Sequence, residues 1–168
     1  MAVFHLVDNY PHIVFKDIEG LIRSSYGIGL KNTPFLIMND KKDNNRIFLG
    51  LNDKDDSSIH LRDSKNHQRI GLYLNKDDDM PSFFIFNEKE ISNLRIKSDG
   101  SSTEMVIFDI NKERDKYLSL FSSYQGQIGL KVISMGKIVI DMENDKNGFS
   151  EFKIFDKEGN EKIKLPYK

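Results

Sequence analysis

The residues best suited to chemistry are four histidines, His5, His12, His60 and His67. None of them has a second histidine or a carboxylate at a spacing typical of metal or catalytic motifs such as His-Glu-x-x-His. A Gly-x-Ser-x-Gly nucleophile motif is also absent from the sequence. We therefore expect no catalytic residue and no cofactor, and the sequence predicts a protein that is not an enzyme.

Two acidic segments, residues 52–56 and 75–79, are the other chemically suggestive feature. Carboxylates are the hard oxygen ligands that Ca²⁺ prefers, and two such loops at one edge of a sheet could share an ion. The candidate ligands are Asp53, Asp55, Asp56, Asp77, Asp78 and Asp79. The alternative, which we favour, is solvated loops whose charge discourages aggregation between sheet edges.

A repeat of about 23 residues organises the chain around these segments. Its first residues are Pro11, Pro34, Ser57, Pro81, Thr103 and Ser150, with a less regular copy near Gly126. The residues two positions later are Ile13, Leu36, Ile59, Phe83, Met105, Ile128 and Phe152. Those four positions later are Phe15, Met38, Leu61, Ile85, Ile107, Leu130 and Ile154. Both columns are apolar throughout, so the sequence predicts that they form the core-facing side of seven equivalent strands.

Residues 57–74 show how one copy folds. Ile59 and Leu61 alternate with polar residues, a polar turn follows, and Ile70 and Leu72 then alternate again. Alternation with a period of two on both sides of a short turn is typical of a β-hairpin. Because Ala2 is the only alanine in the chain, helix is disfavoured throughout.

Most of the turns have an acidic or amide residue at their start, and four of them have a basic residue at their end. The residues six positions into the repeat are Asp17, Asp40, Asp63, Asn87, Asp109 and Asp156. The residues twelve positions in include Arg23, Arg46, Arg69 and Lys162. We expect the side chains of Asp and Asn to cap the turns and the charged residues to pair across them. A ladder of arginines that binds an anion is the alternative, which we favour less because the acids would neutralise it.

The segment Asp17-x-x-Gly20-x-x-Arg23, followed by alternating aliphatic residues, resembles the tandem hairpin repeats of various uncharacterised bacterial proteins. The resemblance covers nearly the whole chain. The glycine is missing from several copies, and copies four to six depart at the arginine position. It implies a fold type and no activity, so it supplies no functional residues.

The chain is predicted to be a single all-β domain, residues 1–168, of about seven tandem hairpins. An isolated hairpin is only marginally stable, so neighbours must share a core. Up to fourteen strands exceed what an open twisted sheet usually holds. We therefore expect the antiparallel sheet to close or fold on itself as a barrel or sandwich, with a superhelical stack of hairpins as the alternative.

Composition bears on the classes of partner and on the cellular location that we expect. The net charge is −1, from 25 basic and 26 acidic residues, which disfavours binding to nucleic acid or membranes. The chain has no cysteine, and we find neither a membrane-spanning run nor a signal peptide in the sequence. A cytoplasmic location is therefore the expectation.

In copies four and five, the residues that alternate with the core-facing columns are also apolar. They are Phe84, Phe86, Val106 and Phe108, whereas copy three has a histidine and an arginine at these positions. A sheet that is apolar on both faces needs a second cover. These four residues are therefore the candidate partner interface. The cover could be a protein partner, a second copy, or the N-terminal residues Val3, Phe4 and Leu6, and we favour cover from within the chain.

Two functional hypotheses follow from these patterns. The first is a non-catalytic structural or protein-interaction module that presents repeated loops and edges to a partner or to itself. The second is a protein that binds a ligand or Ca²⁺ through the acidic loops. The first is preferred because the sequence contains no recognisable catalytic constellation.

Overall fold

The structure is a computed structural model that describes residues 1–7, 10–108, 116–144, 147–148 and 150–167. These residues form fifteen strands and one short 3-10 turn, Leu30–Asn32. The strands are β1 (Ala2–Val7), β2 (Tyr10–Lys16), β3 (Ile22–Ile28), β4 (Pro34–Asn39), β5 (Asn45–Leu51), β6 (Ser57–Arg62), β7 (Gln68–Leu74), β8 (Pro81–Phe86), β9 (Ser92–Ser98), β10 (Ser102–Phe108), β11 (Tyr117–Ser123), β12 (Ile128–Ser134), β13 (Lys137–Asn144), β14 (Ser150–Phe155) and β15 (Glu161–Tyr167).

The all-β prediction and the positions of the repeated strands are confirmed. The strands β4, β6, β8 and β14 begin at Pro34, Ser57, Pro81 and Ser150, the predicted first residues of their copies. The strands β2 and β10 begin one residue earlier than predicted. The strand β1 precedes the repeats, in a segment that the sequence suggested as a cover for the sheet. Among the described residues, the chain forms no helix with the length and apolar character needed to cross a membrane.

The chain divides into two compact units, residues 1–91 and 92–168. Unit 1 contains β1 to β8 and unit 2 contains β9 to β15, and within each unit the strands follow one another in chain order. Every described pair of neighbours within a unit is antiparallel. In neither unit does a described pairing join the first strand to the last, so the strand order is that of an open sheet and does not establish closure into a barrel or sandwich.

The pairing register places the repeated apolar residues in rows across one face. In unit 1 these rows are Ile13, Tyr26, Leu36, Leu49, Ile59, Leu72 and Phe83, and Phe15, Ser24, Met38, Ile47, Leu61, Ile70 and Ile85. In unit 2 they are Ile96, Met105, Leu120, Leu130, Met142, Phe152 and Leu165, and Leu94, Ile107, Leu118, Val132, Ile140, Ile154 and Ile163. We call these rows the aliphatic face of each unit.

The sixth copy is shifted relative to the predicted columns. Leu130 lies in the row of Met105 and Leu120, whereas Ile128 pairs with Ser122 and Asn144 outside the two rows. The expected alignment of Ile128 with the first column was therefore wrong by two residues. A two-residue shift keeps each side chain on its face, so the alternation survives it.

The prediction that the two columns form a buried core is wrong for the single chain. Leu61, Ile85 and Ile107 are between 37% and 41% exposed, although Leu36 is less exposed. The nearly fully buried side chains are Val14 and Val106, at 2% and 1% exposure, and they alternate with the aliphatic face and so point to the other side of the sheet. Burial within each unit is thus concentrated on the face opposite the predicted core.

The turns are built as predicted, around the residue at the sixth position of the repeat. The Asp40 carboxylate accepts hydrogen bonds from the backbone N–H groups of Lys42, at 2.8 Å, and Asn44, at 3.1 Å. The same pair of bonds recurs at Asp17, Asp63, Asn87 and Asp156. The expected cap at Asp109 lies outside the described residues. Capping by the side chain is therefore the common device of these turns.

A β-bulge recurs beside these turns and was not anticipated. The register shifts between Phe15 and Lys16, and equivalent shifts occur in the hairpins of β4, β6 and β14. In each case the extra residue on the second strand is the repeated basic residue: Arg23, Arg46, Arg69 or Lys162. A bulge redirects the side chain at its extra residue, which in three of the four hairpins is the residue that pairs with the acid across the turn.

The acidic turn caps give the fold a pH dependence. The hydroxyl and N–H groups of Ser101 and Ser102 donate hydrogen bonds to Asp99 and lower its pKa to about 2. Because the pKa is lower in the folded than in the unfolded chain, the contribution of Asp99 to stability is present above its ordinary pKa, 3.8, and is lost as the pH falls toward 2. We expect Asp99→Asn to make this acid-induced loss shallower in urea unfolding measured across that range. An unchanged pH profile would contradict this assignment.

Glycines on the face opposite the aliphatic rows allow close approach of the backbone. A Cβ atom built on Gly50 would lie 2.7 Å from the backbone oxygen of Pro34 and 2.9 Å from Cζ of Phe48. On Gly27 it would lie 2.7 Å from the backbone oxygen of Pro11. Only glycine fits such positions without a shift of the neighbouring strand.

We expect Gly50→Ala to destabilise the protein by about 1–3 kcal/mol, because backbone atoms of the paired strand must move to admit the methyl group. Gly29→Ala is the matched control, since its Cβ would meet Oγ1 of Thr33 at 3.4 Å, an ordinary contact distance. The free energy of unfolding in urea measures both. Equal stability of the two variants would contradict the close packing at Gly50.

Candidate interaction surface

The aliphatic face of unit 1 is an apolar surface, interrupted by Ser24 on β3, and many of its side chains are exposed. Eight of its fourteen side chains are 37% to 57% accessible: Phe15, Tyr26, Met38, Leu49, Ile59, Leu61, Leu72 and Ile85. Each has cross-strand neighbours directly opposite it in the register, and such neighbours are close enough to cover part of one another. The two rows contain no charged residue. Such a surface suits another apolar surface rather than a small polar ligand.

Unit 2 has the same kind of face. Its exposed members lie between 38% and 53% accessible: Ile107, Leu120, Met142, Ile163 and Leu165. The surface was visible in the sequence as the two apolar columns, but alternation identifies an apolar face without identifying its cover. The sequence therefore located these residues correctly and assigned them the wrong environment.

The predicted partner interface lies on the opposite face. Val106 is 1% exposed, so its side chain is buried within the chain itself. The Phe84 ring packs edge-to-face on Tyr73 and stacks on Phe86, with centroid distances of 5.6 and 5.7 Å. Phe108 lies 6.0 Å from the Tyr117 ring. These aromatic residues are half-buried, and they pack mainly against side chains of the same face.

The proposed cover by the N-terminal residues is not formed. Residues 2–7 are the strand β1, which pairs with β2 at the edge of unit 1. The Phe4 side chain is 70% exposed and lies on the same side of the sheet as its partner Ile13, on the aliphatic face. This segment extends the sheet and does not cover Phe84 or Phe86.

An aromatic row crosses β5 to β8 on the face opposite the aliphatic rows. Its consecutive rings are Phe48, His60, Tyr73 and Phe84, with centroids 5.3 to 5.6 Å apart. Burial, together with the nearby charge of Arg62, lowers the pKa of His60. The imidazole is therefore favoured in its neutral form, as part of the ring packing.

In unit 2 the same face carries charged residues. Lys131, Asp141 and Lys153 are opposite one another in register across β12, β13 and β14. Burial raises the pKa of Asp141, and Lys131 and Lys153 oppose that rise. Lys131 also pairs with Glu143 at 3.5 Å. Sequence reasoning missed this cluster because its members are ten or more residues apart in the chain and meet only through the register of β12, β13 and β14.

The acidic loops direct their carboxylates toward different partners. Asp53 pairs with Lys31 at 2.6 Å, and Asp55 lies 3.6 Å from Nζ of Lys76. Asp56 accepts hydrogen bonds from the backbone N–H of Lys76 at 3.0 Å and from Asn52 at 2.9 Å. In the second loop, Asp78 accepts a hydrogen bond from the N–H of Met80, and Asp79 has a positive φ of 53°.

The calcium hypothesis for Asp53, Asp55, Asp56, Asp77, Asp78 and Asp79 stays a prediction. Among the described residues, no group of three or more histidine, aspartate or glutamate side chains is arranged to hold a metal ion. The local hydrogen bonds and ion pairs are sufficient to account for the loop conformations.

A thermal melt tests the calcium hypothesis directly. We expect the same melting temperature in millimolar CaCl₂ and in EDTA, because the carboxylates of the first loop already have protein partners. A ligand that binds the folded state alone would raise the melting temperature with its concentration. A melting temperature that is higher in CaCl₂ than in EDTA, with no such difference in the double variant Asp53→Asn/Asp77→Asn, would favour the calcium hypothesis instead.

The repeated basic residues pair with the turn acids in three of the four described cases. Arg46 lies 3.3 Å from Asp40, and Lys162 lies 2.9 Å from Asp156. Arg23 lies 4.0 Å from Asp17. The expected pair of Arg69 with Asp63 is not formed, and His67 contacts that carboxylate at 3.3 Å. Because these basic residues pair with acids, they do not form the ladder of free arginines that binding of an anion would need.

Comparison with known proteins supplies no identity for these surfaces. No model of a known protein family matches the sequence, and no curated protein is significantly similar to it.

Proposed function

We propose that this chain is a non-catalytic interaction module that associates with a second copy of itself through the aliphatic face. The supporting observation is the set of large apolar side chains on the aliphatic face of unit 1, eight of which are 37% to 57% exposed. Contiguous apolar patches of more than a few hundred Å² are uncommon on monomers and typically mark interaction sites.

The dimensions of the face are those of a small interface. With strands about 4.8 Å apart, the eight strands of unit 1 extend about 34 Å, and the two rows, each two residues wide, extend about 14 Å along the strands. One copy then contributes about 480 Å², so that two copies bury about 950 Å², close to the roughly 1,000 Å² that a specific interface needs.

A second copy is the favoured occupant because the face is regular and uncharged. The 23-residue repeat places similar side chains on successive hairpins, so the ridges of one copy can fit the grooves of another at a constant spacing. Two sheets packed in this way lie about 10 Å apart with interdigitated side chains. The sandwich that the sequence predicts would then form between two chains.

The double variant Leu49→Lys/Leu72→Lys tests this association. Both side chains are exposed in the single chain, at 46% and 44%, so lysines can extend into solvent there while disrupting an apolar interface. Size-exclusion chromatography with light scattering, at tens of micromolar, should give a smaller mass for this variant than for the wild type. Far-UV circular dichroism should show that the strands are retained.

Ile18→Lys is the matched control. Ile18 is fully exposed in the turn between β2 and β3, away from the aliphatic rows, so the same change in chemistry should leave the mass unchanged. A monomeric wild type, or equal masses for the wild type and the double variant, would refute the proposal.

A further inference from the structure

The strand β1 is an exposed sheet edge with a defined set of free backbone groups. Among the described residues it pairs with β2 alone. The N–H of Lys16 donates to the backbone oxygen of Met1 at 2.9 Å, and the Met1 amino group donates to the backbone oxygen of Lys16 at 2.8 Å. Met1 and Lys16 are therefore a hydrogen-bonded pair.

The antiparallel pattern fixes the direction of the remaining groups on β1. Hydrogen-bonded and non-hydrogen-bonded pairs alternate along the ladder, so Val3 and His5 bond to β2 as Met1 does. The backbone N–H and C=O groups of Ala2, Phe4 and Leu6 then point away from β2. Pro11, which has no N–H group, lies opposite Leu6, as this alternation requires.

The composition of β1 contrasts with that of the last strand, β15. Proteins protect exposed edges with lysine and proline, and β15 contains Lys162, Lys164 and Pro166. The strand β1, with the sequence AVFHLV, contains neither proline nor a residue with a fixed charge. Its edge therefore lacks the features that prevent a further strand from pairing.

We propose that β1 pairs with β1 of a second copy, antiparallel, about a two-fold axis at Phe4. The outward groups are symmetric about this residue, so Ala2 of each copy pairs with Leu6 of the other and Phe4 pairs with itself. These three pairs form about six backbone hydrogen bonds. The interface uses the sheet edge and is independent of the aliphatic face.

A second copy fits this edge because the strand is self-complementary. No like charges oppose one another in the pairing, whereas a self-pairing of β15 would bring together strands that carry Lys162 and Lys164. The Phe4 side chain, 70% exposed in the single chain, meets its own symmetry mate in the pairing. Cross-strand aromatic pairs of this kind stabilise antiparallel strands.

Single cysteines test the register, since the chain has no cysteine of its own. They are introduced into the Leu49→Lys/Leu72→Lys protein, so that association through the aliphatic face does not contribute. The two Cα atoms at position 4 would be about 5.5 Å apart, within reach of a disulfide. At position 2 they would be about 14 Å apart along the strands, which is too far.

Under mild oxidation, Phe4→Cys should form a disulfide-linked dimer about tenfold faster than Ala2→Cys, because only its symmetry mates are in contact. Both positions are exposed, on one strand, and two residues apart, so Ala2→Cys reports the rate of random collision. Equal rates would overturn the proposal.

A backbone substitution gives a second, independent test in the same protein. Phe4→Pro removes an outward N–H group without removing a bond to β2, and Phe4→Ala removes the same ring while keeping that group. Light scattering should show a dimer for Phe4→Ala and a monomer for Phe4→Pro. Dimers of both variants, or monomers of both, would overturn the pairing. The aliphatic-face proposal is tested separately, by the effect of the lysine substitutions on the wild type.

Discussion

Hydrogen bonding between successive antiparallel strands is the interaction on which the rest of this structure depends. A single hairpin of about 23 residues is marginal in water, and lateral pairing provides each with neighbours. That pairing covers the sides of the strands but not their faces. Side chains such as Leu49 and Leu72 remain about half exposed. The repeat thus produces an ordered sheet and an uncovered apolar surface together.

The two faces of the sheet differ in how far their side chains are buried. On one face, Gly27 and Gly50 let backbone and rings approach closely, and Val14 is almost fully buried. On the other face nearly every strand carries large side chains, many of which remain exposed in the single chain. A module of this kind is adapted to packing against a matching surface. If both the face and the β1 edge associate, two different two-fold contacts on one chain generate an extended assembly rather than a closed dimer.

Much of the fold was predictable because its signals are local. Period-two alternation and the turn residues located the repeated strands, and Asp40 and Asp63 cap their turns as expected. The bulge at Arg23 was not predictable, since its one extra residue leaves the alternation on either side intact. The solvent exposure of the apolar columns could not be predicted from the sequence either. Alternation identifies Leu61 as part of an apolar face, but burial depends on whether another layer covers that face.

Solvent access to the methyl groups of Leu49 and Leu72 tests the account most directly. Methyl NMR with a soluble paramagnetic agent would measure it as a function of protein concentration, with Val14 as a buried reference and Ile18 as an exposed one. We expect both leucines to be protected at high concentration, as Val14 is, and to become accessible on dilution. Leucine methyl groups as accessible as those of Ile18 at every concentration would contradict it.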